Sequence, residues 1–449
     1  MIGSIDTSHV LHADMKKTIP TVKRGEGIYL YDVHGKRYLD GSSGPVACNL
    51  GHGIKEIAEV LASQAEEVAF VYRTQFTNEP IEKFAGLLAE MAPGDLNRVF
   101  FVNSGSEATE MAIKIARQYY LEQGKVKKEW VVSRWLSYHG MTLGALSLSG
   151  HVARRRDYVN TLLPYPKIPA CYCYRCPFAN TYPDCQVACA RKLKETIQMT
   201  GSEYFSAFIA EPVVGAAGGA ISSPPEYFRI IRDTCDELDI LLIADEVMTG
   251  FGRTGKNFAI EHWDVTPDII AFAKGASAGY YPLAGVIVSE KIYQTLRSGT
   301  GKFIPGHTFS GTPLAGAIGV KVMEYMKQHD VVGNVVRLEG YLMAQLKSLY
   351  KHDTVGDVRG KGFLTGVEFV RDQKTKEPFA NKEWGKVSNL IVQKAFDKGL
   401  IIYPGGGTVD GHRGDHILIG PPLTIRKEEI DELIFILDET IKEIEGMVC

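Results

Sequence analysis

The chain has 449 residues, 45% of them hydrophobic and 23% charged, with a formal net charge of −3. That length exceeds the roughly 250–300 residues at which one core usually divides, and the near-neutral balance leaves no electrostatic footprint for nucleic acid or an anionic membrane. No uncharged apolar run approaches the roughly 20 residues needed to span a bilayer. The opening residues 1–9 lack the basic and apolar regions of a signal peptide, so a cytoplasmic protein is expected.

In chain order, residues 28–40 alternate in polarity around a His34-Gly35 turn and predict a hairpin. Residues 54–70 and 79–92 carry helical spacing of apolar positions. Residues 98–117 read as a buried strand, a tight turn and an Ala-rich helix. Further short apolar strands end at Glu211, Asp245, Lys274 and about Ser289, with helical stretches such as 225–238 between some of them. Strands alternating with helices imply an α/β fold with a mostly parallel sheet. Ligands of such sheets sit at the carboxyl ends of strands, where Ser104, Glu211, Asp245 and Lys274 all fall. Beyond them a long helical segment (313–351) leads into a strand pair (358–369). A helix (about 382–398) then stops at Gly399, a strand follows over 400–404, and a final helix covers about 427–446. We expect a large domain over 61–312 and a smaller α+β domain made from 1–60 and 313–449. The hairpin-like strands at either end are too few to build a core alone.

The chemistry centres on two strand ends. Burying the ammonium of Lys274 costs several kcal/mol unless it is paired or gives up its proton. One solution is a Schiff base with an aldehyde cofactor. Asp245 could then pair a pyridinium nitrogen, the second group that pyridoxal 5′-phosphate requires. A structural ion pair between neighbouring strands accounts for the two residues equally well. Gly105 and Ser106 open a helix straight after a strand and could offer N–H groups and a hydroxyl to a phosphate. Ser106 followed by Glu110 could instead serve as an ordinary helix cap. Tyr138 could stack on a heteroaromatic ring or fill a core. Residues 250–256 match the glycine and lysine spacing of a P-loop, but Asn257 stands where the metal-binding hydroxyl belongs. Cys171, Cys173, Cys176, Cys185 and Cys189 cluster in one stretch. Their spacing fits zinc or iron–sulfur ligation only loosely, and no metal is expected.

The segment 245–275, with its Asp-Glu-Val-Met-Thr-Gly-Phe-Gly-Arg-Thr-Gly-Lys opening and Lys-Gly close, resembles the signature of class III aminotransferases. These are fold-type I enzymes dependent on pyridoxal 5′-phosphate. The likeness continues through Asn-Ser-Gly-Ser-Glu-Ala (103–108), Tyr-His-Gly (138–140), Glu-Pro (211–212), Gly-His-Thr-Phe-Ser-Gly (306–311) and Pro-Pro-Leu (421–423). The resemblance implies that Lys274 binds the cofactor and moves a proton, and that Asp245 keeps the pyridine nitrogen protonated. It implies that Tyr138 and Val247 sandwich the ring, that Gly105 and Ser106 hold the phosphate, and that Thr308 reaches it from the other subunit of a homodimer. Arg413 resembles the mobile arginine of the ω-amine branch, which pairs a substrate carboxylate. Amine and keto-acid substrates follow, with pyruvate the expected acceptor in a ping-pong reaction. Met248 replaces the Gln common in glutamate-using relatives, and Val46 stands where aryl-amine transaminases carry Trp. The cysteine insert resembles one in taurine–pyruvate-type members. Other chemistry in the same family, such as decarboxylation, epimerisation or 1,2-amino transfer, remains a competing expectation. A non-enzymatic cysteine-loop protein is a more distant one.

Overall fold

The computed structural model describes residues 8–380 and 386–448. A seven-stranded sheet organises the centre, in the order Leu96–Val102, Ala284–Ser289, Ile269–Phe272, Leu241–Asp245, Phe205–Ala210, Trp130–Arg134, Lys167–Ile168. Ala284–Ser289 runs antiparallel to both of its neighbours, and every other pairing is parallel. The inner strands read as unbroken apolar runs because both faces are covered. Ile243, Ile269 and Val286 meet the Ala- and Ile-rich side of helix Gly105–Leu121. Phe208, Leu242, Ile270 and Phe272 face the larger core on the other side. The α/β class expected from the sequence is the one observed.

The terminal segments meet in smaller sheets. The strands Val22–Glu26, Tyr29–Asp32 and Arg37–Asp40 form a meander, and Leu400–Ile401 adds to it in parallel with Leu39 and Asp40. A second sheet orders Val355–Lys361, Leu364–Phe369, Asp415–Ile419 and Tyr403–Gly406. The single strand expected over 400–404 is therefore two strands, which break at Ile402 and join different sheets. The helical segment expected over 313–351 also divides, into Pro313–Gln328 and Val331–Lys347. Asp330 sits between them in the left-handed region (φ 45°), which no continuous helix tolerates. The helix expected from 382 is observed as Val387–Asp397, and 381–385 lie outside the described residues, as do 1–7 and 449. None of the described helices is long and apolar enough to cross a membrane.

Candidate active site

Two adjacent parallel strands bring the lysine and the carboxylate together. Asp245 pairs across the ladder with Ala271, so Lys274 emerges just past the same sheet edge. Its backbone is left-handed (φ 43°), a conformation that a long side chain adopts only when its surroundings enforce it. Part of the Lys274 side chain stays open to solvent, yet protein atoms crowd the amine. That crowding pushes its pKa down to about 8, against the opposing pull of Asp245 and Glu211.

Asp245 is held on both oxygens. Oδ1 accepts from the Val247 N–H at 3.1 Å, and Oδ2 lies 2.6 Å from His139 Nδ1. An ionised carboxylate there requires the imidazole to carry its proton on Nδ1. His139 is fixed in turn, since its N–H donates to Ser149 Oγ at 2.8 Å and its carbonyl accepts from the Thr109 hydroxyl at 2.8 Å. Its Nε2 is buried without a partner among the described residues. Sequence reasoning passes over this histidine, although it sits inside the Tyr-His-Gly run that draws attention to Tyr138. Only the fold brings it to Asp245.

Glu211 lies at the end of the neighbouring strand and is likewise buried. Its Oε2 accepts from the Tyr138 N–H at 3.4 Å and its Oε1 from the Gly215 N–H at 3.3 Å. Burial raises its pKa to about 7, reinforced by Asp245 and opposed by His139 and Arg134. A carboxyl poised at neutrality thus adjoins both Lys274 and the Tyr138 turn.

The turn before helix Gly105–Leu121 completes the frame. Its cap is Ser104, whose hydroxyl accepts from the Glu107 N–H at 3.3 Å, while Glu107 accepts from the Asn103 and Ser104 N–H groups. Capping by Ser106 and Glu110 is therefore ruled out. Ser106 Oγ instead accepts from the Met141 N–H at 3.0 Å, and Glu110 takes the Thr142 hydroxyl at 2.6 Å. Both Gly105 and Gly140 are close approaches. A Cβ on Gly105 would stand 2.8 Å from Val247, and one on Gly140 2.5 Å from Ser106 Oγ. These contacts draw the helix N-terminus, the Tyr138 turn and the Val247 turn around one space. Tyr138 is half-buried, and Val46, backed by Gly420, takes a left-handed backbone (φ 60°).

Two expected residues stand apart. Thr308 is exposed in a turn whose His307 lies 3.9 Å from Glu107 and whose Phe309 meets the ring of Phe70 edge-on. Arg413 is exposed and folds back on its own turn, its Nε donating to Asp410 Oδ2 at 2.7 Å. The P-loop-like stretch runs as turns into a single short 3-10 segment, Ala259–Trp263, and not into an α-helix. Its Arg253 is fully buried, donating to the carbonyls of Phe363 and Pro421 and to Asn49 Oδ1. In the cysteine loop the neighbouring Cys171 thiol lowers that of Cys173 to about 7, against the opposing effect of burial. Among the described residues no group of three or more His, Cys, Asp or Glu is disposed to hold a metal ion.

The residues fit a small anionic heteroaromatic aldehyde. The helix start offers N–H groups for a phosphate, the partly desolvated amine suits an aldehyde, and the doubly anchored carboxylate suits a ring nitrogen. This is the frame of the fold-type I pyridoxal-phosphate enzymes. The family model for class-III aminotransferases matches residues 11–441, and the chain belongs to that family. Its cofactor is pyridoxal 5′-phosphate, on which the family depends. The chain is 44% identical to the uncharacterized aminotransferase YodT of Bacillus subtilis over 98% of both chains. It is 35% identical to the taurine–pyruvate aminotransferase of Bilophila wadsworthia, covering 98% of this chain and 97% of that one. A thermostable (S)-enantioselective omega-transaminase from Thermomicrobium roseum superposes with a TM-score of 0.91 at 36% identity, covering 98% and 97% of the two chains.

Proposed function

We propose that this aminotransferase moves an amino group from an ω-amino acid or amine to a keto acid, with pyruvate the acceptor, in two half-reactions that share one site. The observation that carries the reading is the placing of Lys274, just past the strand that pairs with Asp245, beside that anchored carboxylate, with its amine crowded enough to bring its pKa down to about 8. When bound, the cofactor supplies an aldehyde for the amino group and a ring that accepts electrons. Lys274 and Asp245 are the catalytic residues. Lys274 Nζ would hold the cofactor through its aldehyde and, once released, would carry the proton from the substrate carbon to the carbon that bore that aldehyde. Asp245, oriented by His139, keeps a positive charge on the ring nitrogen. Gly105 and Ser106 bind the phosphate, Tyr138 and Val247 cover the two ring faces, and Arg413 swings from Asp410 to a substrate carboxylate.

The active unit is a homodimer that places Thr308 at the neighbouring site. Support comes from the apolar surface around that turn, where Phe70, Ile304 and Phe309 are all exposed. The seven described cysteines are free thiols, in keeping with a reducing cytoplasm. Residues 61–312 make the cofactor-binding domain, with the two terminal segments as the second.

Support for the acceptor and donor comes from the taurine–pyruvate and omega-transaminase relatives. The test is an amine panel read through the cofactor's absorbance near 400–430 nm, an approximate chromophore range. Amine alone should carry the enzyme through one half-reaction and stop, and pyruvate should restore the starting spectrum. Release of carbon dioxide, or turnover without a keto acid, would contradict the proposal.

A further inference from the structure

Three consecutive arginines follow the Tyr138 turn, and their environments differ. Arg155 is tied to the carbonyls of Leu146, Ser147 and Ser149 at 2.7, 3.0 and 2.9 Å. Arg156 is exposed and pairs with Asp157 at 3.3 Å. Arg154 does neither. Its guanidinium carbon lies 5.0 Å from the centre of the Tyr138 ring, and Nη2 is 3.4 Å from the Tyr403 hydroxyl. Among the described residues it pairs with no carboxylate. A half-buried guanidinium left without an anion, over the ring that covers the cofactor, calls for one from outside the chain.

The surroundings favour the same ligand. Gly411, two residues from Arg413, packs so closely on Val152 that a Cβ there would stand 2.5 Å from the valine methyl. The Arg413 turn thus lies against the short helix Val152–Arg155 that carries Arg154. Lys386 Nζ would be 2.5 Å from a Cβ on Gly406, in the strand that also holds Tyr403. Burial, joined by Arg154 and then Lys386, keeps His151 neutral, with a pKa pushed down to about 4. Asp410 faces this rim but is engaged by Arg413, and Asp415 is engaged by Ser388.

Resting on the aminotransferase reading above, we propose that Arg154 is an anion subsite, distinct from Arg413, that binds the oxyanion tail of an ω-amino acid donor on the Tyr138 side. The shared chemistry is a carboxylate or a sulfonate two or more carbons from the amine.

The test uses the cofactor-loaded enzyme with Arg154→Gln and Arg154→Lys. Half-reactions with 3-aminopropanoate, 2-aminoethanesulfonate and propylamine are followed by absorbance, and binding of unreactive propanoate by calorimetry. Arg154→Gln should weaken both charged donors and propanoate by about 30-fold, the lower end for removing one partner of a charge pair. Propylamine should change by less than about twofold, and Arg154→Lys should fall between. The relative losses of the carboxylate and the sulfonate identify the tail that the subsite prefers. Equal losses for propylamine would make Arg154 a prop for Tyr138, and unchanged propanoate binding would place the anion elsewhere. If the wild-type enzyme turned over no amine while propanoate binding still depended on Arg154, the reaction would be wrong and the subsite right. Should the Gln variant fail to fold, the Lys variant decides by the same comparison.

Discussion

The strand-end site and the arginine rim are built on opposite principles. Lys274, Asp245 and Glu211 sit on three adjacent strands, and the parallel ladder fixes their spacing. His139 and Asp245 are 0% and 3% exposed, so their 2.6 Å contact has no solvent competitor. Arg413 and Asp410 form a contact of similar length, 2.7 Å, in an exposed turn where water competes with both partners. Similar distances thus carry different stiffness. On the proposed function, the strand ends would hold the reacting groups still, and the loops would release one anion to take another.

The largest effect that separates the two regions should come from Lys274→Ala. We expect turnover to fall by about 10⁴-fold or more, at the upper end of what a positioned acid–base group contributes, with cofactor still retained through the helix N-terminus. Rapid-quench assay of a single half-reaction measures it, and near-normal turnover would break the comparison at its root. Asp245→Asn comes next. Removing the charge that meets the ring nitrogen should slow proton transfer by about 10²- to 10³-fold while changing cofactor affinity far less. Unchanged single-turnover rates would give the carboxylate another part.

Most of the strand-end site is legible in the sequence, because a short apolar run closed by a charged residue marks a buried strand that surfaces at a sheet edge. Asp245 and Lys274 need only those runs to be placed at one edge. His139 is not legible as a partner of Asp245, since 106 residues separate them and the contact depends on strand order. Ser106 reads as a cap because the N-cap signal shifts easily by two positions, and Ser104 with Glu107 satisfies it better. The divided strand at 400–406 escapes because its two halves share one apolar pattern and only their partners differ. The rim is the least legible. Arg413 stands out by resemblance, whereas Arg154 lies in a run of three arginines whose roles diverge only once carbonyls, solvent and Tyr138 surround them.

A smaller effect should follow from Arg413→Ala. Apparent KM for pyruvate should rise by about tenfold, as expected for loss of a partly solvated charge-assisted contact, with the half-reaction of an uncharged amine left nearly unchanged. Equal changes for both would make Arg413 part of the turn's structure, through Asp410. The smallest is a pH effect confined to the strand ends. Burial lowers Lys274 from the usual lysine range to about 8, so the folded apoprotein loses this proton before the unfolded chain does. The cost of burying the charge is full below about pH 8 and is relieved as pH rises from there towards the ordinary lysine value. Capture of free cofactor by apoprotein should accordingly quicken as pH rises through about 8, by roughly tenfold per pH unit below it. A flat profile across that range would mean the amine is already neutral.

The central claim is that Lys274, and no other lysine, carries the cofactor. Lys167 is the natural rival, since burial and then Arg155 bring its amine down to about 7, although it donates to the carbonyls of Ser147 and Tyr165 away from Asp245. Borohydride reduction of the cofactor-loaded enzyme, followed by peptide mapping, decides between them. The structure predicts a pyridoxyl group on Lys274 in stoichiometric yield, whereas label on Lys167, or on no single lysine, would contradict the account.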